Sequence, residues 1–230
     1  MANLLIVDAS SSLCSVALSM DEQVISLEEH QPRRHAQRLL PLIDEILQQG
    51  GISKQQLDGI AFGRGPGSFT GIRIALSLVQ GMTLGLGIPV LGVSSLKMLA
   101  AARAHQEGAC IAAVMNAHMG EVFWGRYRME NGMAVLMGSE CVGTPEQCVQ
   151  DLAGFEGEWL GNGVALLPSG SDSAESVVDA VEPLASFVVS SVRSAWQQGK
   201  FSGVENHPPV YLRDSVAWKK LDEQPSLLKR

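Results

Sequence analysis

Gly63-Arg64-Gly65-Pro66-Gly67-Ser68-Phe69-Thr70-Gly71-Ile72-Arg73 follows a short, mainly apolar run at residues 57–62 and leads into an apolar stretch that continues to residue 86. A strand, a glycine turn and a helix start in that order can present backbone N–H groups to an anion, because the first turn of a helix leaves its amides unpaired. Two familiar nucleotide motifs are excluded by spacing. No Lys follows a G-x-x-x-x-G frame here, and the G-x-G-x-G frame lacks the last spacing of a dinucleotide fingerprint. Pro66 fixes one φ, while Gly65 and Gly67 allow positive φ, so a purely structural turn accounts for the same composition. An anion cradle and a packed turn both stand at this point.

Outward from the loop, strands and helices alternate. Residues 4–7 form an apolar strand, Ser10 to Ser12 a polar turn, residues 15–19 the returning strand and residues 23–28 a third. Residues 33–49 carry apolar side chains at 36, 39, 40, 43, 46 and 47, a helical stripe ended by Gly50-Gly51, with a kink or restart expected at Pro41. After the loop, positions 72, 75, 76, 79, 83 and 86 make one apolar face and 74 and 78 a second, which predicts a largely buried helix. A buried strand at 89–93 and a helix over 96–105, capped by Ser94 or Ser95, complete the unit. The pattern then begins again: Ile6-Val7-Asp8-Ala9-Ser10 is echoed by Val114-Met115-Asn116-Ala117-His118, followed by a strand over 122–127. Glycine and serine around residues 168–173 predict a mobile surface loop.

Composition bounds the function. A chain of 230 residues buries about 70–75% of its unfolded surface, and 46% hydrophobic with 18% charged residues describes a globular α/β protein. A net charge of −7 supplies no global positive field to draw the chain onto nucleic acid. Cys14, Cys110, Cys141 and Cys148 form no C-x-x-C pair and no zinc spacing, and the N-terminal apolar run, interrupted by Asp8, is too short for a secretory signal. A reducing cytoplasm is the predicted compartment. Residues 74–96 carry no charge, yet Gly81, Gly85, Gly87 and Pro89 break the run, so a buried helix and strand are predicted and no membrane span. No nucleophile elbow, H-E-x-x-H or paired carboxylates appear, which leaves peptide hydrolysis without machinery.

Seven further matches flank the loop in order: Leu4-Leu5-Ile6-Val7-Asp8-Ala9-Ser10, Cys14-Ser15-Val16-Ala17-Leu18, Arg34-His35, Gly92-Val93-Ser94, Gly120-Glu121-Val122-Phe123, Pro209-Val210-Tyr211-Leu212-Arg213 and Val216-Ala217-Trp218-Lys219-Lys220. With the loop they resemble the bacterial TsaB (YeaZ) family. The resemblance implies an α/β, actin-like ATPase (ASKHA, ribonuclease H-like) fold of two duplicated βββαβα-type subdomains. These would be residues 1–105, with the glycine loop and dimerisation helices, and 106–230, with a C-terminal segment packing back. It implies a non-catalytic partner or scaffold subunit needed to form threonylcarbamoyladenosine on tRNAs that read codons beginning with adenine. The implied partners are the catalytic paralogue TsaD, the ATPase TsaE and a second copy of the chain, with tRNA met only through the complex. The alternative is an actin-like ATP-dependent phosphotransferase or hydrolase with its own turnover; a peptidase is a poorer third.

Site residues follow from the same resemblance. In active members of the superfamily an Asp at the first hairpin turn positions phosphate or metal, and Asp8 followed by Ser10, Ser11 and Ser12 occupies that place. Together with Gly65, Gly67 and Ser68 these are the candidates for weak ATP, ADP or phosphate binding; otherwise Asp8 is a turn carboxylate bonding its own backbone. The second turn would need another acidic residue, but holds Asn116 and His118, where TsaB relatives usually read Asp-Ala-Arg. TsaD carries two metal-holding histidines four residues apart, one turn of helix, and alignment on Gly92-Val93 puts Ser95 and Leu99 at those places. No metal site is predicted. His30 and His35 diverge at a spacing of five, and His105, His118 and His207 are isolated. The partner surface implied by the family comprises Arg34, His35, Arg38 and Leu42 of the first helix with Phe69, Ile74, Leu78, Gly81 and Gly85 of the second. A chain segment around residues 210–218 is the alternative cover for that face.

Overall fold

The computed structural model describes residues 2–21, 23–30, 34–168 and 181–213. The first sheet contains β1 (Leu4–Asp8), β2 (Leu13–Met20), β3 (Gln23–His30), β4 (Gly59–Gly63) and β5 (Val90–Val93), in the order β3-β2-β1-β4-β5. β1 runs antiparallel to β2 and parallel to β4. As the central strand β1 is covered on both faces, which is why its sequence is an unbroken apolar run and not an alternation. Alternate residues feed different cores: Leu5 and Val7 meet Leu39, Ile43 and Phe62, whereas Leu4 and Ile6 meet Leu96, Leu99, Ile111 and Ala113.

The second sheet repeats the plan. β6 (Cys110–His118), β7 (Glu121–Glu130), β8 (Met133–Leu136) and β10 (Glu158–Leu160) lie in the order β10-β6-β7-β8, with β6 antiparallel to β7 and parallel to β10. Among the described residues it has no counterpart of β5. Instead β9 (Cys141–Gly143) pairs with Val122–Trp124 of β7, on the edge whose other end pairs with β8. The core that holds Leu4 and Ile6 also holds Tyr127 and Met129 of this sheet, so one apolar body joins the two repeats.

Helices α1 (His35–Gln49) and α2 (Phe69–Leu86) cover one face of the first sheet; α3 (Ser95–Ala100), α4 (Pro145–Asp151) and α5 (Val189–Gln197) follow in the chain. α1 departs from expectation at Pro41, where the helix continues unbroken. Proline there cannot donate to the Gln37 carbonyl, and both residues lie on the exposed side of the helix, where the missing bond costs least. The buried stripe is Leu39, Leu42, Ile43, Ile46 and Leu47, with Leu40 exposed, so Leu42 belongs to the core and not to the surface. α2 is not largely buried. Only Gly71, Ile72, Ala75 and Val79 are, because one helix on one sheet hides a single stripe at i, i+3, i+4 and i+7. Its far side leaves Phe69 57% and Leu84 88% exposed. The predicted strand at 57–62 begins later, at Gly59, and the 96–105 helix ends at Ala100 in a 3-10 turn. Most of the predicted loop at 168–173, the first residue of the predicted first helix, Arg33, and residues 214–220 lie outside the described residues.

Candidate functional site

Asp8 closes β1 and is wholly buried. Its Oδ2 accepts the Ser10 amide at 3.1 Å and the Ser10 hydroxyl at 3.0 Å, while Oδ1 has no hydrogen-bond partner among the described residues. Burial pushes its pKa up to about 7; the two Ser10 bonds pull the other way and the charge of Glu182 adds to the rise. Gly63 makes room for this carboxylate: a Cβ there would stand 1.8 Å from Oδ1.

The glycine loop lies on the first turn. The Ser68 amide donates to the Ser10 carbonyl at 2.7 Å. A Cβ on Gly67 would meet that carbonyl oxygen at 2.3 Å, and one on Gly71 would meet the Ala9 oxygen at 1.9 Å. Gly65, at φ +101°, faces the Val210 carbonyl, 2.8 Å from where its Cβ would be. Ser68 Oγ caps α2 by accepting the Gly71 amide at 3.2 Å. The close approach these glycines permit is thus between the loop and the chain's own backbone, as a packed turn requires, and the Ser68 amide is already paired.

The hydroxyls of the turn are engaged as well. Ser11 Oγ accepts the Leu13 amide at 3.2 Å, and Ser12 Oγ donates to the Glu182 carboxylate at 2.7 Å. His35 is buried, with its Nε2 3.0 Å from the Ser11 carbonyl oxygen. This corrects the expectation that His35 belongs to a partner surface: it braces the turn from beneath, as Leu42 fills the core. His35 and Glu182 reach the turn from 24 and 170 residues away; the Arg34-His35 match marks the histidine without this role, and no local motif marks Glu182.

At the second turn His118 and Met119 both have φ of 58°. Asn116 Oδ1 accepts the His118 amide at 2.7 Å, and Asn162 Oδ1 accepts the Asn116 amide at 2.8 Å. Arg213 donates to the Ala117 carbonyl at 3.2 Å and pairs with the Glu121 carboxylate. Asn116 is a turn brace. Ser95 and Leu99 are fully buried: the Ser95 amide donates to the Gly65 carbonyl at 2.9 Å, and Leu99 packs in the core shared by the sheets. Among the described residues no group of three or more His, Cys, Asp or Glu could hold a metal ion.

Of the remaining surface residues, Arg34, Phe69, Gly81 and Gly85 are exposed and Ile74, Leu78 and Arg38 partly so. Arg38 pairs with Glu29. Nothing lies within 4 Å of a Cβ added at Gly81 or Gly85. Tyr211 reaches only the start of α2, its ring 5.9 Å from Phe69, with the Arg73 guanidinium 3.2 Å from the Phe69 ring centre. Beyond that end Gly81, Leu84 and Gly85 of α2 are exposed, while Ile74 and Leu78 are half-buried at the margin of the core beneath α1 and α2.

Two sheets of this order, duplicated around a buried first-turn Asp, define an actin-like, ribonuclease H-like α/β protein. The family model described as "TsaD: tRNA N6-adenosine threonylcarbamoyltransferase" matches residues 24–160. The tRNA threonylcarbamoyladenosine biosynthesis protein TsaB of Escherichia coli (strain K12) is 39% identical over 95% of this chain and 97% of its own length. Its namesake in Haemophilus influenzae is 33% identical over 95% and 96%. Among solved structures, YeaZ from Pseudomonas aeruginosa is 40% identical with a TM-score of 0.82, covering 92% of this chain and 100% of that one. A second, described as an uncharacterized protein with similarity to peptidase YEAZ, is 41% identical at the same TM-score over 93% and 100%. The chain belongs to the TsaB family.

Proposed function

We propose that the chain acts in threonylcarbamoyladenosine biosynthesis on tRNA, as its relatives' names describe, and that it does so as a non-catalytic partner subunit. The observation that carries the non-catalytic role is at Ser95 and Leu99. Where the catalytic paralogue would need two metal-binding imidazoles, this chain has a buried hydroxyl and a core Leu, and neither supplies a nitrogen ligand. The second turn adds to this, since Asn116 stands there in place of an acidic residue and its side chain accepts the His118 amide. Nucleotide, if ATP or ADP is offered, binds weakly: Ser10, Ser11 and Ser12 are engaged with Asp8, Leu13 and Glu182. Residues 1–105 and 106–230 form the two subdomains, in the cytoplasm, where the four thiols stay free.

The outer side of α2, around Ile74, Leu78, Gly81 and Gly85, with Phe69, Arg34 and Arg38 at its margin, pairs with a TsaD-type enzyme or a second copy of the chain. Exposed apolar area on a helix invites such cover, and a standard interface buries roughly 1,600 Å² in total. A TsaE-type ATPase completes the system, and tRNA is met through the complex. Replacing Ile74→Glu together with Leu78→Glu should abolish both pairings and tRNA modification, with circular dichroism unchanged. A folded double variant that still pairs and still supports modification places the surface elsewhere. The unpartnered Oδ1 of Asp8 favours one second reading, an ATP-dependent phosphotransferase; a tight, magnesium-dependent ATP complex with hydrolysis lost in Asp8→Ala would establish it.

A further inference from the structure

A concave groove of about 430 Å³ lies between the ends of β4 and β5, α3, β8 and α5. Three cations line it from three separate elements: Arg64 of the glycine loop, Lys97 of α3 and Lys200 just past α5. No Asp or Glu is among its described lining residues. The Glu140 carboxylate, bonded to the groove residue Ser94, is engaged by the Ser94 and Tyr127 hydroxyls. None of the three cationic side chains has an ion-pair partner among the described residues. Arg64 Nε is buried and makes no hydrogen bond, although a buried N–H normally finds an acceptor. The facing wall is apolar, with Met133, Val135 and Leu136 of edge strand β8 exposing carbon to the same space.

We propose that this groove binds a small organic phosphate, its phosphoryl group held by Arg64, Lys97 and Lys200 and its apolar or planar body laid against β8. Like charges gathered in a concave, partly desolvated space repel one another, and a dianion removes that repulsion. Lys97 feels this crowding: burial, and then the charge of Lys200, hold its ammonium below the usual lysine range. The guanidinium fork and two ammonium groups suit phosphoryl oxygens. Ser191 adds a hydroxyl to the lining. With a chain net charge of −7 the attraction is local to the groove, which suits a small ligand better than a long polyanion.

The test uses the full chain and three probes, AMP, adenosine and inorganic phosphate, titrated by calorimetry and followed by NMR of reductively ¹³C-methylated lysines. AMP should saturate, with the Lys97 amine titrating at higher pH in the complex; inorganic phosphate should bind more weakly, and adenosine more weakly still. Lys97→Met and Lys200→Met, which keep the aliphatic stems, should each weaken AMP by about tenfold, since a charge-assisted contact is typically worth about that much. No saturable AMP binding at millimolar concentration would overturn the proposal. So would AMP binding that is unchanged in folded Lys97→Met and Lys200→Met variants, adenosine binding as well as AMP, or a short RNA that binds the groove when AMP does not.

Discussion

Replacing Asp8→Asn separates the charge of the buried carboxyl from its shape. Asp8 ordinarily titrates at 3.8 and is pushed up to about 7 in the folded chain, chiefly by burial. The folded state therefore holds a proton that the unfolded state has released. Stability from this group is fully present below pH 3.8, falls as pH rises, and levels off above about 7. The whole displacement corresponds to roughly 4 kcal/mol, at about 1.4 kcal/mol per pH decade. Asn keeps an oxygen for the Ser10 amide and hydroxyl but does not titrate. At pH 5 the variant should be less stable than the parent, because its NH₂ group takes the place of the unpartnered Oδ1, at a cost of roughly 1–3 kcal/mol. Between pH 5 and pH 8 the difference should move in the variant's favour by about 2–3 kcal/mol. Urea denaturation at both pH values reads this directly, and melting should show it as roughly 5–10 °C for a chain of this size. Parallel stability–pH curves for parent and variant would refute a protonated, buried Asp8.

Leu42→Ala, at a site 2% exposed, should cost about 2–5 kcal/mol, whereas Leu40→Ala, at a site 44% exposed, should stay within about 0.5 kcal/mol; chemical denaturation of the two compares them. Gly71→Ala drives a methyl to 1.9 Å from the Ala9 carbonyl oxygen and must undock the glycine loop from the first turn, so it should destabilise by roughly 2–4 kcal/mol, read by the same method. Calorimetry with ATP and magnesium on the Lys97→Met, Lys200→Met double variant, which removes two of the groove's cations, should give a dissociation constant no tighter than about millimolar, because the first turn offers a phosphate only a few contacts of about 0.3–1 kcal/mol each.

Much of the fold was legible because burial writes itself into residue pattern. The unbroken apolar run of β1 announces a strand covered on both sides, and its echo at Val114–His118 announces the repeat. The error at Leu42 has a simple cause: Leu39, Ile43, Ile46 and Leu47 are consistent with a stripe that includes either Leu40 or Leu42, and only docking on β2 chooses between them. α2 was misjudged because an apolar helix reads alike whether its second face meets a core or a partner. At the site, Asp8, the serines and the glycine loop lie in continuous stretches and could be named. His35 was named only for a partner surface and Glu182 not at all, since their bonds to the turn close loops that no spacing rule encodes. Arg213 ends the Pro209-Val210-Tyr211-Leu212-Arg213 stretch, yet its grip on the second turn depends on how the chain returns across β6 and β7.

The most direct measurement of a non-catalytic role is an omission series. Threonylcarbamoyladenosine would be quantified by nucleoside mass analysis after tRNA is incubated with an activated threonylcarbamoyl donor, ATP and magnesium together with this chain, a TsaD-type enzyme and a TsaE-type ATPase, leaving out one protein at a time, with zinc and iron content determined for each. The account predicts no modified nucleoside from this chain alone, no stoichiometric zinc or iron in it, and modification only when it and the TsaD-type enzyme are both present. Modified tRNA formed with this chain as the sole protein would contradict it.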